Sequence, residues 1–374
     1  MADFLYIHIP FCVRKCLYCD FLSLPFDEQS ARRYVDSLCR ELELKSGFAG
    51  ELKTIFIGGG TPTLLPADCF EQLFHCLRKN FLFLPETEIS VEANPGTVTA
   101  AKLETLLTLG VNRMSVGIQS FHDGELKMLG RVHTANEAVE AVNLLKSAGF
   151  KNWSIDLMYG IPEQTIGSWK DTLTEALGLA PYHVSAYELT PEEGTPLSRL
   201  IKEKTVRMSE EGLVLDMYDF AIDFLQSRGF EHYEISNHAL PGFRCLHNLN
   251  YWDRGEYLGA GPGAHSFIKG VRSRNTGDVS GYIEDLKYNV IPEAEAITIS
   301  PDEALKEFIF LGLRKTGGID MAETKKMHTD FPAACTELID SGHLALSGNS
   351  LRLTRKGLPV SNMVIVHLFE KLGL

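Results

Sequence analysis

The chain has an apolar run at residues 4–9 and then reads Cys12-Val13-Arg14-Lys15-Cys16-Leu17-Tyr18-Cys19. Spacings of four and three residues allow one loop to bring the thiolates of Cys12, Cys16 and Cys19 around a single compact metal centre. A structural zinc site or an electron-transferring cluster normally has four protein ligands. Three cysteines on a cube of four irons leave one iron open. The spacing therefore predicts an iron–sulfur cluster that can also bind another molecule.

Other interpretations of this loop stay open at the level of the sequence. His8 or Asp20 could complete a zinc site, or the three thiols could lie close together by chance. No second Cys-x-x-Cys pair exists that would make a zinc ribbon. The other cysteines are too sparse for a disulfide framework, and the first three of them fall in helical patterns, where a free thiol usually behaves as a small buried hydrophobe. They are Cys39, Cys69, Cys76, Cys245 and Cys335.

Short apolar runs alternate with amphipathic stretches of helical length in the first half of the chain. This alternation predicts parallel βαβ units and a partial (β/α)6 barrel of the α/β class. The predicted strands are residues 4–9, 54–57, 88–92, 113–118, 153–158 and 183–189, and the predicted helices are residues 27–45, 66–79, 99–109, 135–148 and 168–179. Each strand runs into a polar or glycine-containing corner, and in a parallel barrel those corners share the face that carries the chemistry.

The character of the sequence changes after this alternation, and three domains are predicted. Residues 1–195 form the barrel core, and residues 196–295 form an extension rich in glycine, histidine and aromatic residues. Residues 296–374 form a small, mostly helical domain with a hairpin at 343–346 and 351–354, which is typical of a winged helix. Residues 301–374 nevertheless hold nine Lys and Arg against nine Asp and Glu, which disfavours nucleic acid as their ligand.

Composition narrows the class of protein further. The chain has 36 Lys and Arg against 49 Asp and Glu, a net charge of −13, so a dedicated nucleic-acid binder is not expected. No apolar run is long enough for a transmembrane helix, and the first residues lack the basic and apolar segments of a signal peptide. We expect a cytoplasmic protein. Because anionic lipid would repel its charge, contact with a membrane would run through a protein partner.

Three features together resemble the radical S-adenosylmethionine (SAM) enzymes: the cysteine loop after the first strand, Tyr18 before the third cysteine, and the corner Gly58-Gly59-Gly60-Thr61-Pro62-Thr63 after the second strand. The resemblance implies a [4Fe-4S] cluster on the three thiolates, with SAM chelating the fourth iron. It also implies that the reduced cluster cleaves SAM and yields a 5'-deoxyadenosyl radical, while the protein supplies orientation and excludes water.

The resemblance further implies which residues would surround SAM. Asp156 and Glu92 would contact its sugar or amino groups, Arg131 its carboxylate, and Gln119 would bridge polar groups. Gly59 and Gly60 would allow the backbone to approach the methionine ammonium, and Thr61 would add a hydroxyl. The remaining two candidates would pack beside methionine and adenine, namely Tyr6 and Tyr18.

Further stretches resemble the oxygen-independent coproporphyrinogen III oxidase group over nearly the whole chain. They are residues 6–12, 92–96, 117–121 and 251–252. This group has an oxidase branch and a haem-chaperone branch. The oxidases carry a fourth cysteine where this chain has Phe21, and a long extension before the cluster. His247-Asn248-Leu249-Asn250-Tyr251-Trp252 reproduces the HNxxYW signature of the chaperones, which favours that branch.

For a porphyrin the motif makes chemical sense, because imidazole is a common axial ligand and aromatic rings offer flat apolar area. His247, Asn248, Tyr251 and Trp252 are therefore candidate haem residues, although His247 could equally form hydrogen bonds inside a buried loop. Competing ligands are Cys245, His232, His238 and His265.

The predicted function is that of a radical SAM haem chaperone that passes haem to an acceptor, such as a respiratory membrane enzyme. A flavodoxin- or ferredoxin-type donor would reduce its cluster, and the sequence leaves a homodimer open. The alternative is an oxygen-independent coproporphyrinogen III oxidase, which decarboxylates two propionates of its substrate. SAM cleavage would not separate the two hypotheses, so whether the chain is an enzyme stays open.

Overall fold

The computed structural model describes residues 1–374, and the chain divides into two units. The first unit comprises Met1–Ala221 and Glu256–Ile297, and the second comprises Ile222–Gly255 and Thr298–Leu374. The division into domains 1–195, 196–295 and 296–374 stays a prediction about which parts of the chain fold independently.

The strands are β1 (Ala2–Ile9), β2 (Phe11–Cys12), β3 (Leu24–Pro25), β4 (Ala49–Gly59), β5 (Leu82–Ala93), β6 (Arg113–Gln119), β7 (Trp153–Tyr159), β8 (His183–Glu188), β9 (Glu231–Glu234), β10 (Asn237–Ala239), β11 (Leu258–Ala260), β12 (His265–Ile268), β13 (Val271–Asn275), β14 (Glu293–Thr298), β15 (Ile319–Asp320), β16 (Leu344–Ser347) and β17 (Ser350–Leu353). The helices are α1 (Glu28–Lys45), α2 (Ala67–Asn80), α3 (Ala100–Thr108), α4 (Asp123–Met128), α5 (Ala135–Ala148), α6 (Ile166–Gly178), α7 (Pro196–Lys202), α8 (Glu211–Gln226), α9 (Leu246–Trp252), α10 (Val279–Lys287), α11 (Pro301–Gly312), α12 (Met321–Met327), α13 (Phe331–Ala334), α14 (Thr336–Asp340) and α15 (Ser361–Leu372).

A parallel sheet forms the frame of the first unit, with the strand order β11-β1-β4-β5-β6-β7-β8. Side chains such as Ile55, Ile57 and Val91 are fully buried, as expected for strands with both faces covered. The order is linear, so the barrel is open and partial. The α/β class and all six predicted strands are confirmed, and β11 adds a seventh strand beside β1.

Helix ends in the first unit are fixed by local chemistry that the sequence carries. Thr134 and Glu137 form a reciprocal capping box at the start of α5, and Gly149 closes the helix in the left-handed conformation with φ 98°. Asp27 caps α1 by accepting from the backbone N–H of Ser30. These signals explain why the predicted helices agree with the observed ones to within about two residues.

The strand β11 is held by a buried polar network. The Glu41 carboxylate accepts from the backbone N–H of Gly261 at 2.7 Å, from Asn275 Nδ2 at 2.6 Å and from the Tyr282 hydroxyl at 2.6 Å. Lys45 Nζ lies 2.7 Å from Glu41 Oε1 and donates to the carbonyl of Gly259, the middle residue of β11. The network therefore ties α1 to the glycine-rich segment that follows the second unit's α9.

The second unit is mostly helical in its carboxy-terminal part. Its α11 begins with a capping box of Ser300 and Glu303. A three-stranded sheet has the order β15-β17-β16, and the β16–β17 hairpin pairs Leu346 with Leu351. The predicted hairpin and the winged-helix-like character of this region are confirmed.

None of the helices is both long and apolar enough to span a lipid bilayer.

Replacing Lys45 by Met should destabilise the chain, because it leaves the Glu41 carboxylate buried without its cation. We expect the free energy of unfolding to fall by about 3–5 kcal/mol, measured by urea titration. The matched control is Lys79→Met, since Lys79 is 66% exposed and lies 3.9 Å from Glu43. The control should change stability by less than about 1 kcal/mol. Equal effects of the two substitutions would contradict this account of the network.

Candidate functional site

A cavity of about 410 Å³ opens at the carboxyl ends of the first unit's parallel strands. Since corners after parallel strands meet at one edge, this is the position where the sequence predicts chemistry. Eleven of the predicted cluster and SAM residues line it. The first eight are Cys12, Cys16, Cys19, Tyr18, Gly59, Gly60, Thr61 and Glu92. Gln119, Arg131 and Asp156 line it as well. Tyr6 is the one predicted cluster or SAM residue that is not part of the wall.

The cysteine loop is fixed at both ends by backbone pairing. β2 pairs with β3 through Phe11 and Leu24, and the N–H of Leu17 donates to the carbonyl of Leu129 at 3.0 Å. All three thiols are half-buried. Burial raises the pKa of Cys12 and of Cys19, so a metal or a nearby cation is needed to favour their thiolate forms.

The thiols fit a cluster better than a single zinc ion. His8, one of the two candidates for a fourth zinc ligand beside Asp20, uses Nδ1 with the Tyr6 hydroxyl at 3.0 Å and Nε2 with the carbonyl of Leu22 at 2.9 Å. In a cube-shaped cluster each cysteine binds a different iron, so three sulfurs spread over one cavity wall suit it.

Two carboxylates line the cavity from β5 and β7, the strands on either side of β6. Glu92 accepts from the backbone N–H of Gly59 at 3.0 Å, and Asp156 accepts from the hydroxyls of Ser115 at 2.8 Å and Ser185 at 2.7 Å. Burial, with the negative charge of Asp156 as a smaller cause, raises the pKa of Glu92 to about 8. Burial also raises the pKa of Asp156. Such a pair is suited to a ligand that brings hydroxyl donors or a positive charge.

Arg131 connects the loops around the cavity. Its Nη2 donates to Asn94 Oδ1 and to the carbonyl of Gly117, and its Nη1 lies 3.5 Å from the Cys16 sulfur. Its Nε is buried and has no hydrogen-bond partner in the protein. One donor of the guanidinium is therefore left for a ligand, and a carboxylate is the acceptor that such a group binds best.

The glycine corner serves the protein's own packing. Gly59 has φ +109°, and a Cβ there would lie 2.5 Å from the His8 ring. A Cβ at Gly60 would lie 2.5 Å from the carbonyl oxygen of Phe11. The atoms that exclude side chains here belong to β1 and β2; both glycines also line the cavity, so the expected approach of the backbone to a ligand stays a prediction.

Gln119 and the two tyrosines differ in how they contribute to the site. Gln119 ends β6 with φ 73°, an uncommon conformation for a side-chain-bearing residue that aims it at the cavity. Tyr18 belongs to the wall, and its phenol lies beside Arg131. Tyr6 stacks on Phe56 with ring centroids 6.2 Å apart and holds His8 through its hydroxyl.

Sequence reasoning missed several residues of this site. Asn94, Ser115 and Ser185 position Arg131 and Asp156, and the alternate-residue spacing of a strand would have placed both serines beside Asp156 once the register was known. The mouth of the cavity also carries exposed apolar side chains that no sequence pattern revealed. They are Val13, Phe21, Val132 and Tyr187, which are between 39% and 59% exposed.

The HNxxYW motif lies on α9 in the second unit. His247 is 1% exposed, and its Nε2 lies 2.9 Å from the Tyr251 hydroxyl, with the two rings edge to face. Burial lowers the pKa of His247 to about 3, so the imidazole is neutral. Trp252 is covered by the guanidinium of Arg314 at 4.7 Å, and Asn248 is half-buried on the same helix.

The competing haem ligands are buried as His247 is, except for His265. His232 and His238 stack on each other at 4.4 Å and are buried, and burial lowers the pKa of both. Cys245 is 2% exposed. His265 is exposed on β12 of the first unit.

Comparison with known proteins agrees with this architecture. Residues 6–176 match the radical SAM superfamily, and residues 299–360 match the HemN C-terminal domain. The solved coproporphyrinogen III oxidase (HemN) of Escherichia coli has the same fold, with a TM-score of 0.84 and 22% identity over 98% of this chain and 90% of that one. The chain is therefore a radical SAM protein of the HemN fold.

Two curated relatives show to which family within this fold the chain belongs. The heme chaperone HemW of Lactococcus lactis is 36% identical over 374 residues, covering 98% of this chain and 96% of its own. HemW of Bacillus subtilis is 36% identical over 369 residues, covering 96% and 97%. The chain belongs to the HemW family, and this family implies a [4Fe-4S] cluster and SAM as cofactors.

The raised pKa of Glu92 predicts how stability depends on pH without SAM. Folding favours the protonated carboxyl, so its contribution is largest below the ordinary pKa of 4.5 and is lost as pH rises through about 8. Glu92→Gln mimics the protonated form. In urea titrations we expect the variant and the wild type to coincide near about pH 4 and the variant to be more stable near about pH 9.

Glu86→Gln is the matched control, because Glu86 is exposed on the same strand and loses the same charge. The control should follow the wild type at both pH values. If Glu92→Gln does the same, the carboxyl titrates near its ordinary pKa and this description of the site is wrong.

Proposed function

We propose that this chain is a radical SAM haem chaperone, which carries one [4Fe-4S] cluster and SAM, binds haem and transfers it to an acceptor protein. The observation that carries the proposal is a cavity with three thiols and two carboxylates, in a chain that aligns from end to end with proteins named heme chaperone. The chaperone class is further supported by Phe21, where the oxidase pattern has a cysteine.

Cys12, Cys16 and Cys19 would hold the cluster through three of its irons. When bound, the cluster supplies the electron that cleaves SAM. Thr61 helps to set the orientation of Cys12, because its hydroxyl lies 3.7 Å from the Cys12 sulfur and accepts from Asn94 at 2.8 Å. Arg131 places a positive charge beside Cys16, with its Nη1 3.5 Å from the sulfur.

The remaining wall residues would bind SAM. Asp156 and Glu92 accept from the ribose hydroxyls or the ammonium group, and the free Nε–H of Arg131 donates to the carboxylate. Gln119 bridges polar groups at the end of β6, and Tyr18 packs against the apolar part of the ligand. Gly59 and Gly60 keep the corner close to β1, and Tyr6 orients the wall through His8.

Haem is the cargo, and we assign its iron to His247. The neutral imidazole has the protonation state that ligation needs, and Tyr251, Trp252 and Asn248 lie on the same short helix. Because His247 Nε2 is paired with the Tyr251 hydroxyl, haem binding requires the imidazole to exchange that hydroxyl for iron.

The proposal extends to the partners of this function. A flavodoxin- or ferredoxin-type protein donates the electron, and the haem acceptor is a respiratory membrane protein. The chain acts in the cytoplasm, reaches the membrane through that acceptor, and is compatible with a homodimer.

The cluster is tested by replacing Cys12, Cys16 or Cys19 with Ala. Each variant loses one of three ligands, so anaerobic reconstitution should leave little iron, sulfide or cluster absorbance. Cys335→Ala is the control, since Cys335 is buried outside the cavity, and it should retain the cluster. Full retention of iron and sulfide in all three cavity variants would contradict the assignment of a cluster to these cysteines.

Haem binding is tested by an anaerobic titration of the cluster-loaded protein, followed by the Soret band. The wild type should saturate at a defined ratio, and His247→Ala should weaken binding by at least about tenfold, or ~1.4 kcal/mol. His265→Ala removes an exposed histidine and should bind as the wild type does.

Two other results would redirect the assignment. Binding that is unchanged in His247→Ala would place the iron ligand elsewhere. Formation of protoporphyrinogen from coproporphyrinogen III under strict anaerobiosis, without saturable haem binding, would replace the chaperone function with that of an oxidase.

A further inference from the structure

Two cysteines outside the cofactor cavity lie against each other where α1 and α2 pack. The Cys76 thiol donates to the carbonyl of Cys39 with an S···O distance of 3.3 Å. The Cys39 thiol lies 4.0 Å from the carbonyl of Gln72, one helical turn before Cys76. Each sulfur thus reaches the backbone of the opposite helix, and the two thiols lie close enough to influence each other's pKa. This proximity is what a disulfide between the helices requires.

The two thiols are accessible from a surface groove of about 330 Å³. Cys39 is half-buried, and Cys76 is 8% exposed, so a molecule as small as a peroxide can reach them. Arg40 and Lys79 border the groove together with Asp36 and Glu43, and the Asn80 amide lies 3.5 Å from the Cys76 sulfur. Hydrogen bonds from Cys39 and Asn80 lower the pKa of Cys76, and the thiolate is the form that oxidants attack.

We propose that Cys39 and Cys76 are an oxidation site, and that hydrogen peroxide closes them into a disulfide. The Cys76 thiolate attacks one peroxide oxygen, so an S–O bond forms, the O–O bond breaks, and hydroxide leaves and takes a proton to become water. The Cys39 sulfur then attacks the Cys76 sulfenic acid, so the S–S bond forms and the S–O bond breaks. The departing hydroxide takes the Cys39 proton. In total two thiols are oxidised, and one peroxide is reduced to two waters.

The disulfide would join two βα units that carry the cofactor cavity. α1 follows the cysteine loop, and α2 follows the glycine corner. A bond between the helices restricts the unfolded chain and therefore stabilises the frame of both loops. Neither Cys39 nor Cys76 lines the cofactor cavity, so this pair is separate from the proposed cluster ligands.

The test uses the full-length, cluster-loaded protein, treated anaerobically with limiting hydrogen peroxide. Remaining thiols are alkylated, and the protein is digested with trypsin without reduction. Cys39 falls in the peptide of residues 34–40, and Cys76 in the peptide of residues 54–78, which also contains Cys69. We expect these peptides to be linked in the wild type and in Cys69→Ser, and unlinked in Cys39→Ser and Cys76→Ser.

Thermal unfolding gives a second measurement. Oxidation should raise the unfolding midpoint of the wild type and of Cys69→Ser, and dithiothreitol should reverse the rise. Cys76→Ser should show no such shift. The proposal is wrong if Cys39 stays open to alkylation once the peroxide is consumed, if the link disappears in Cys69→Ser, or if Cys39 is joined to a cysteine of the cavity loop.

Discussion

The guanidinium of Arg131 is the group on which the candidate site depends, because it contacts two loops and one strand at once. It reaches the cysteine loop at Cys16, the corner after β5 at Asn94, and the backbone of β6 at Gly117. The same cavity contains three thiols and two carboxylates, and Arg131, Arg14 and Lys15 balance only part of the negative charge that these five groups would carry when all are ionised. A cationic cluster and a ligand with ammonium and sulfonium charges would supply the rest, which is the electrostatic reason that this wall suits SAM.

The frame of the first unit could be predicted because its signals are local. Apolar runs with polar corners mark the strands, and capping residues such as Thr134 mark the helix ends. β11 was missed because three residues, Leu258 to Ala260, are too short for a periodic pattern and lie among glycines. Glu41 and Lys45 were the available signal, since both fall on the buried face of α1, where charged residues need partners from elsewhere in the fold.

The site was predicted in part for a similar reason. The corners after parallel strands converge, so the sequence alone could place several residues at one site. They are the three cysteines, Glu92, Gln119 and Asp156. The position of Tyr6 could not be predicted in this way. A strand residue faces either the cavity or the opposite side of the sheet according to the strand's register, and the Tyr6 hydroxyl is hydrogen-bonded to His8. For His247 the sequence offered an iron ligand and a buried, hydrogen-bonded histidine as equal alternatives, since a motif specifies residue types and not whether a side chain is already paired; in the fold it is buried and paired with Tyr251.

The return of the chain to the first unit after α9 has a consequence for synthesis. Leu5 pairs with Leu258, so one edge of the parallel sheet stays open until that part of the chain leaves the ribosome. During that interval β1 presents unpaired N–H and C=O groups, the kind of edge on which strands of other molecules add. Pairing across so long a sequence separation is also slow. The nascent chain is therefore expected to need shielding at β1 before it needs any cofactor.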